Sequence, residues 1–387
     1  MRLVYDDVIV GAGSSGAVLG ARLSEDPNRS VLLLEAGPDY ITPELTPADL
    51  LDATDISVVS HDWRFEAAAV PGRAIPFPRG RVTGGSSAVN GTVALRGVPA
   101  NYDEWQALGN DGWGWSEVLP YFRRLEDDPE EAGDLHGTGG PIPIHRWKPD
   151  ELVPVEQAFF AYCRKAGFAE VRDHNDPEAT GVGPIPVNQR QGLRISTAIG
   201  YLLPARHRLN LTIRANCHVH RVLFDGDEAT GVELDCEGVV QRVLGRRITL
   251  SAGAIASPAI LLRSGIGPAA DLRALGIDPL VDLPGVGGHL LDHPNAGAIV
   301  IPKGGVPDTR IPFIQMMVRY TATGSDDFND MQFNFLTHSD LSVRQPQIAE
   351  QIGASIVMSL TASLQRPRSS GRLSLASADP HEPPKID

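Results

Sequence analysis

Apolar residues follow two patterns along the chain. Near the start they form short unbroken runs, Val8-Ile9-Val10 and Val31-Leu32-Leu33-Leu34, as in parallel strands buried on both faces. Between these runs, residues 17–23 place apolar and small side chains at helical spacing, which predicts a strand–helix–strand unit. Leu211-Thr212-Ile213 predicts a further short parallel strand. Residues 219–224, 229–235 and 239–243 predict a three-strand meander, turned first at Asp225-Gly226. Residues 247–250 then return to the parallel sheet. Beyond Asn295 the text alternates instead. Residues 298–301, 316–320, 331–336 and 356–364 predict an antiparallel sheet, with 372–375 pairing after the Ser369-Ser370-Gly371 turn.

The connecting text is less regular. Residues 37–79 are Pro-rich and predict a long surface connection with a small helical piece at 47–51. Within it, Trp63 is either a satellite core residue or a cofactor contact. Residues 102–126 have helical spacing, with Trp105, Leu108, Val118, Tyr121, Phe122 and Leu125 as the predicted core. The acidic, Gly-rich stretch 126–140 predicts an exposed loop. Residues 154–166 predict an amphipathic helix bearing an inert Cys163. Residues 181–191 read as a Gly/Pro loop, and Ser196-Thr197-Ala198 as a helix cap.

Candidate chemistry begins at Gly11-Ala12-Gly13-Ser14-Ser15-Gly16, a G-x-G-x-x-G run between the first strand and helix. Gly11 permits the tight turn, Gly13 lets backbone approach a pyrophosphate, and Gly16 lets the helix pack on the strand. The helix start offers free N–H groups to phosphate, and Glu35 ends the second strand where an acid can hold a ribose. The motif does not choose between NAD and FAD. A second nest of amides, Gly84-Gly85-Ser86-Ser87, follows Arg79 and Arg81, which supply positive charge beside it.

The 387 residues are enough for two domains, and a net charge of -14 argues against nucleic-acid partners. No apolar run is long enough to span a membrane. The three cysteines, Cys163, Cys217 and Cys236, are scattered, so a disulfide is not expected and a cytoplasmic location fits. His289, Asp292 and His293 lack the further ligands of a metal site, and no metal is expected.

Three segments carry a resemblance. They are the fingerprint through Glu35-Ala36-Gly37, the run from Gly80-Arg81-Val82 to Asn90-Gly91, and the run from Gly253-Ala254-Ile255 to Gly265-Ile266-Gly267. They resemble the glucose-methanol-choline (GMC) family of FAD-dependent oxidoreductases. Thr83 departs from the family pattern, where an aliphatic residue is usual. The resemblance implies an α/β fold: a dinucleotide-binding, Rossmann-like FAD domain with a β-meander (1–145 and 206–294), plus an antiparallel-sheet substrate domain (146–205 and 295–387). It implies FAD as cofactor, with the pyrophosphate over Gly11, Gly13, Ser14, Ser15 and Gly16, and the ribose at Glu35 beside Ala36. Trp63, Arg81, Val82 and Gly85 would border the cofactor, and Asn90, Gly91, Thr92 and Val93 would pass the flavin ring. Val219 and Ala252 would meet the adenosine. Val89 stands where some members carry a ring-bonding histidine, which implies non-covalent FAD.

The implied activity is oxidation of a small-molecule alcohol CH–OH group to a carbonyl, with hydride passing to flavin. The family's catalytic histidine lies in a C-terminal segment, and none of the 11 histidines matches it. The catalytic residues are therefore expected beyond Asp387, the substrate domain is expected to be incomplete, and the chain alone is expected to fold poorly. A non-catalytic FAD-binding fragment and a hydroxynitrile-lyase-like enzyme are the alternatives. Substrate alcohol and electron acceptor stay open.

Overall fold

The computed structural model describes residues 4–70, 72–131, 133–303 and 305–387. The strand–helix–strand unit is β1 (Val4–Val10), α1 (Ser14–Leu23) and β2 (Val31–Leu34). It is joined by β3 (Leu211–Arg214), β4 (Cys217–Asp225), β5 (Glu228–Cys236) and β6 (Val239–Leu250). The six strands lie in the order β3-β2-β1-β6-β5-β4. Val8, Val10, Leu32 and Leu34 point to one face and pack with Val219, Val232 and Leu234. Ile9, Val31 and Leu33 point to the other, against Ala17, Ala21 and Leu202. Both faces are covered, which is why these strands are apolar without alternation. Each such side chain contributes roughly 1.5–3 kcal/mol on burial.

The last meander strand and the returning parallel strand are one element. The first half of β6 pairs antiparallel with β5, Cys236 opposite Val239. Its second half pairs parallel with β1, Val10 opposite Leu250. The helix α2 (Gly253–Arg263) follows.

A second sheet is antiparallel, as expected past Asn295. Its strands are β7 (Asn295–Val300), β8 (Met316–Tyr320), β9 (Met331–Asp340) and β10 (Ile356–Leu364), in the order β7-β10-β9-β8. Gly181–Pro184 adds a strand beside β8, where a loop is expected from sequence. The glycines there serve close approach: a Cβ at Gly183 would lie 2.0 Å from the carbonyl oxygen of Val171. The helix Pro154–Lys165 covers this sheet, with Phe159 and Cys163 against Val182, Met316 and Phe335. Burial, assisted by Glu156, pushes the Cys163 thiol up to about 11, so it is inert.

Other expectations are corrected. Leu373–Ser374 pairs with Lys385–Ile386, and Ile386 pairs with Ala67; the large antiparallel sheet is not their partner. The long 37–79 connection contains a hairpin, Phe65–Val70 with Arg73–Phe77. Residues 102–126 form parts of two helices, Pro99–Ala107 and Trp115–Leu125. Of their predicted core, Trp105, Leu108 and Tyr121 are 46%, 75% and 70% exposed. Among the described residues no layer covers them, and Tyr102, Trp105, Trp115 and Phe122 pack on one another instead. At 196–198, Thr197 is the N-cap of the helix Ala198–Leu202 and makes no side-chain cap hydrogen bond; Ser196 Oγ accepts from Ile199 N at 3.4 Å.

The cysteine expectation also fails, because Cys217 and Cys236 form a disulfide. The β4–β5 register sets them directly opposite, with Cα atoms 4.3 Å apart. The pairing follows from the hairpin register, which spacing alone does not reveal. The inference of a reducing compartment falls with it. Among the described residues no helix is long and apolar enough to cross a membrane.

Candidate functional site

The glycine turn after β1 behaves as its spacing requires. Gly11 adopts φ +94°, and a Cβ there would lie 2.7 Å from Ala252 Cα. A Cβ at Gly16 would lie 1.9 Å from the carbonyl oxygen of Gly11, so only glycine lets α1 seat on the turn. Gly13 differs. Its φ is -75°, and its nearest neighbour to an added Cβ is Gly85 Cα at 3.7 Å. A Cβ at Gly13 would therefore meet Gly85 at an ordinary contact distance, without backbone strain. Gly13 is the N-cap of α1, no side chain caps the helix there, and its first turn holds no acid. The exposed Ser14 and Ser15 begin that turn, whose amides suit an anion.

The second nest closes on the first. Gly84 donates its N–H to the Ala12 carbonyl at 2.8 Å. Gly85 has φ +52°, and a Cβ on it would lie 2.6 Å from Gly13 Cα. Two glycine turns far apart in sequence thus meet backbone to backbone, with Val82 buried beneath in contact with Leu50, Ala88 and Val89.

Glu35 is 5% exposed and braces the first turn. Its Oε2 accepts from Ala12 N at 3.0 Å and its Oε1 from Gly37 N at 2.9 Å. Burial raises its pKa to about 7, against the lowering effect of those hydrogen bonds. Ala36 beside it is half-buried. Trp63 takes the first of its two expected places, as a satellite core residue. It packs with the core around Phe65 and lies 4.9 Å below the Arg81 guanidinium. The Val219 side chain is committed to the core, so only its backbone faces outward chemistry. Ala252 is the N-cap of α2 and donates its N–H to Ser257 Oγ at 3.0 Å.

Asn90, Gly91, Thr92 and Val93 run from the second nest toward the antiparallel unit. Asn90 Oδ1 accepts from Thr92 N at 3.0 Å and supports the left-handed φ of +60° at Thr92. A Cβ at Gly91 would lie 2.3 Å from the Phe313 ring. Val93 bridges Val187, and Thr92 O accepts from Asn188 N at 2.7 Å. A cavity of about 290 Å³ adjoins this run, lined in part by Ser57, His61, Arg79, Ser86, Val89 and Asn90.

Sequence reasoning missed two supports of this cavity. His61 is buried, with Nε2 2.8 Å from Tyr40 Oη and Nδ1 2.7 Å from Ser60 Oγ. Arg194 is fully buried and donates to the Asp52 and Asp55 carbonyls at 2.5 and 2.6 Å, fixing the loop beside Ile56 and Ser57. Burial lowers its pKa to about 10. Arg194 has no sequence signal because its partners are backbone carbonyls, and His61 is tied to Tyr40, 21 positions away, by no motif.

The stretch 126–140, expected to be exposed, carries a buried ionic cluster. His136 Nδ1 lies 3.1 Å from Glu126 and 3.2 Å from Asp128, and its Nε2 lies 2.8 Å from Asp173. Arg146 pairs with Asp128 at 2.5 Å and Asp173 at 2.7 Å, and Arg96 with Glu126 at 2.7 Å. Arg96 follows Val93 by three positions, so the cluster anchors the run that leaves the site. His289, Asp292 and His293 do not converge on a common point that could hold an ion, among the described residues.

The GMC oxidoreductase family model matches residues 5–295. An uncharacterized GMC-type oxidoreductase of Rhodococcus erythropolis is 36% identical over 396 residues, covering 98% of this chain and 74% of that protein. The 5-(hydroxymethyl)furfural oxidase of Methylovorus sp. is 38% identical over 408 residues, covering 99% and 73%. The crystal structure of pyridoxine 4-oxidase from Mesorbium loti superposes with a TM-score of 0.88 at 32% identity, covering 99% of this chain and 75% of that one. The chain thus spans about three quarters of the length of each. Family model and relatives together show that the chain belongs to the GMC oxidoreductase family.

Proposed function

We propose that this oxidoreductase binds FAD across the paired glycine turns and oxidises a primary alcohol borne on an aromatic ring. The observation that carries the cofactor reading is the meeting of Gly13 and Gly85. It leaves a side-chain-free surface at an uncapped helix start, where a pyrophosphate finds amide donors and no steric opposition. Gly11, Gly13, Ser14, Ser15 and Gly16 would hold that pyrophosphate, with Gly85 closing over it and Val82 fixing the closing turn. Glu35, with Ala36, would hold the ribose, and the backbone of Val219 and Ala252 would border the adenine. Trp63 and Arg81 would flank the cofactor as a stacked pair.

When bound, FAD supplies the hydride acceptor. The chain's own residues orient and enclose the reaction. Asn90 to Val93 form one wall, held rigid by the Asn90–Thr92 bond and by Phe313. This wall joins residues 1–145 and 206–294, which we assign to the cofactor, to residues 146–205 and 295–387, which we assign to the substrate. Non-covalent attachment is supported by Val89, which has no nucleophile. The cavity histidine His61 has both ring nitrogens engaged by Tyr40 and Ser60.

The substrate class rests on two relatives that match 99% of this chain, whose names specify 5-(hydroxymethyl)furfural and pyridoxine; the choline dehydrogenases match 74–76% of it. Anaerobic titration of FAD-loaded protein, in a form that carries the family's catalytic histidine, with 5-(hydroxymethyl)furfural, pyridoxine and an aliphatic alcohol tests it. Flavin bleaching by the ring-borne alcohols is expected. A flavin that stays oxidised with every alcohol would refute alcohol oxidation, and bleaching by the aliphatic alcohol alone would refute the substrate class.

A further inference from the structure

Away from the glycine turns, β4 gathers a second set of chemically capable side chains. His218 and His220 lie two apart on this strand. The β4–β5 register shifts between Val219 and Arg221, so His220 sits at a bulge, a device that re-aims a side chain. His381 arrives from the segment between Leu373–Ser374 and Lys385–Ile386. The three rings are mutually adjacent, with centroids 5.3–5.6 Å apart. One ring nitrogen from each lies within 4.8 Å of the others. Asp235, the cross-strand partner of His218, places Oδ2 3.6 Å from His381 Nε2.

Two features point to a ligand. His220 is nine-tenths buried, and its Nε2 has no hydrogen-bond partner, which is a costly state for an imidazole. His381 is exposed, which gives an ion an entry path and lets this ligand move. Bonds of about 2.0–2.1 Å to a tetrahedral ion need nitrogens roughly 3.3 Å apart, so modest closure of His381 is required. Arg263 and Arg81 oppose added positive charge. Asp235 and, beside Arg263, Asp379 offset them.

We propose that His218, His220 and His381, with Asp235 as adjoining carboxylate, bind one divalent transition-metal ion of the zinc type. Imidazole donors with a carboxylate select late first-row ions over magnesium or calcium. The Glu126–Asp128–His136 cluster is a different case, since guanidinium groups already occupy its carboxylates. Bound metal would tie the 376–382 segment to the disulfide-bridged β4–β5 hairpin. It would also lie near Trp63, whose ring is 5.6 Å from that of His218.

Calorimetric titration of chelator-stripped, FAD-loaded protein with Zn²⁺ tests this, alongside quenching of tryptophan fluorescence by Ni²⁺. Saturable binding of one equivalent is expected, with X-ray absorption reporting imidazole ligands. His381→Ala, at an exposed position that leaves folding intact by circular dichroism, should weaken Zn²⁺ at least tenfold. Asp235→Asn should weaken it by roughly 10-fold, as an outer partner does. Absence of saturable binding would overturn the proposal. So would parental affinity in both His381→Ala and His220→Ala, since the ion would then sit elsewhere.

Discussion

Replacing His136 by alanine tests whether the 126–140 segment is held by charge. The cluster contains three carboxylates, Glu126, Asp128 and Asp173, against the guanidiniums of Arg96 and Arg146. It balances only when His136 carries a proton. Burial alone would lower the His136 pKa, yet hydrogen bonds to Asp128, Asp173 and Glu126 outweigh it and raise the pKa to about 11. His136 is 7% exposed, so solvent screening is small. Removing it leaves an uncompensated buried carboxylate, at a cost of roughly 3–5 kcal/mol. The sign with pH follows from the raised pKa. Stabilisation by His136 is fully present below the unfolded pKa near 6.5 and is lost as pH rises toward 11, by about 1.4 kcal/mol per unit. Glu126, Asp128 and Asp173 are all held below their usual range, so their contribution is lost on acidification instead. Urea unfolding of both proteins between pH 6 and pH 9 measures the difference, in which groups common to both largely cancel. The gap should be largest near pH 6 and shrink steadily above it. A gap of the same size at both ends would refute a protonated His136 as the keystone.

Other outcomes follow from particular contacts. Gly16→Ala drives a Cβ to 1.9 Å from the Gly11 carbonyl, so backbone must shift and stability should fall by about 3 kcal/mol or more in a melting experiment; an unchanged melting temperature would show the packing to be loose. Breaking the Cys217–Cys236 bridge, which closes a separation of 19 residues, should cost about 3 kcal/mol. Thiol counting on the unfolded, unreduced protein should find Cys163 alone, and three thiols would mean that the bridge does not form. Acid precipitation should release all yellow colour to the supernatant, whereas colour kept in the pellet would reveal a covalent flavin.

The parallel strands were legible because residues buried on two faces leave unbroken apolar runs, as at Val31 to Leu34. The glycine turns were legible because φ and close approach admit no other residue at Gly11 and Gly16. Pairings between distant segments were not. Cys217 with Cys236 depends on hairpin register, and Ile386 with Ala67 on the path of the whole chain. Charged residues misled most. Glu126, Asp128 and His136 read as a solvated loop because their counter-charges, Arg96, Arg146 and Asp173, stand elsewhere in the sequence. Trp105 and Tyr121 misled the other way, since helical spacing marks an apolar face without saying what covers it. The site histidine His61 was hidden because Tyr40 and Asp49, which complete its network, carry no motif.

The meeting of Gly13 and Gly85 around a pyrophosphate is the central claim, and flavin titration of the parent chain against Gly13→Val addresses it directly. The mutant's backbone suffers no strain at φ -75°, and its Cβ meets Gly85 Cα at an ordinary contact distance of 3.7 Å. Circular dichroism and melting temperature should therefore match the parent. The parent should saturate with one equivalent of FAD and the mutant should fail to bind it. A folded Gly13→Val protein that takes up FAD as tightly as the parent would place the cofactor somewhere else.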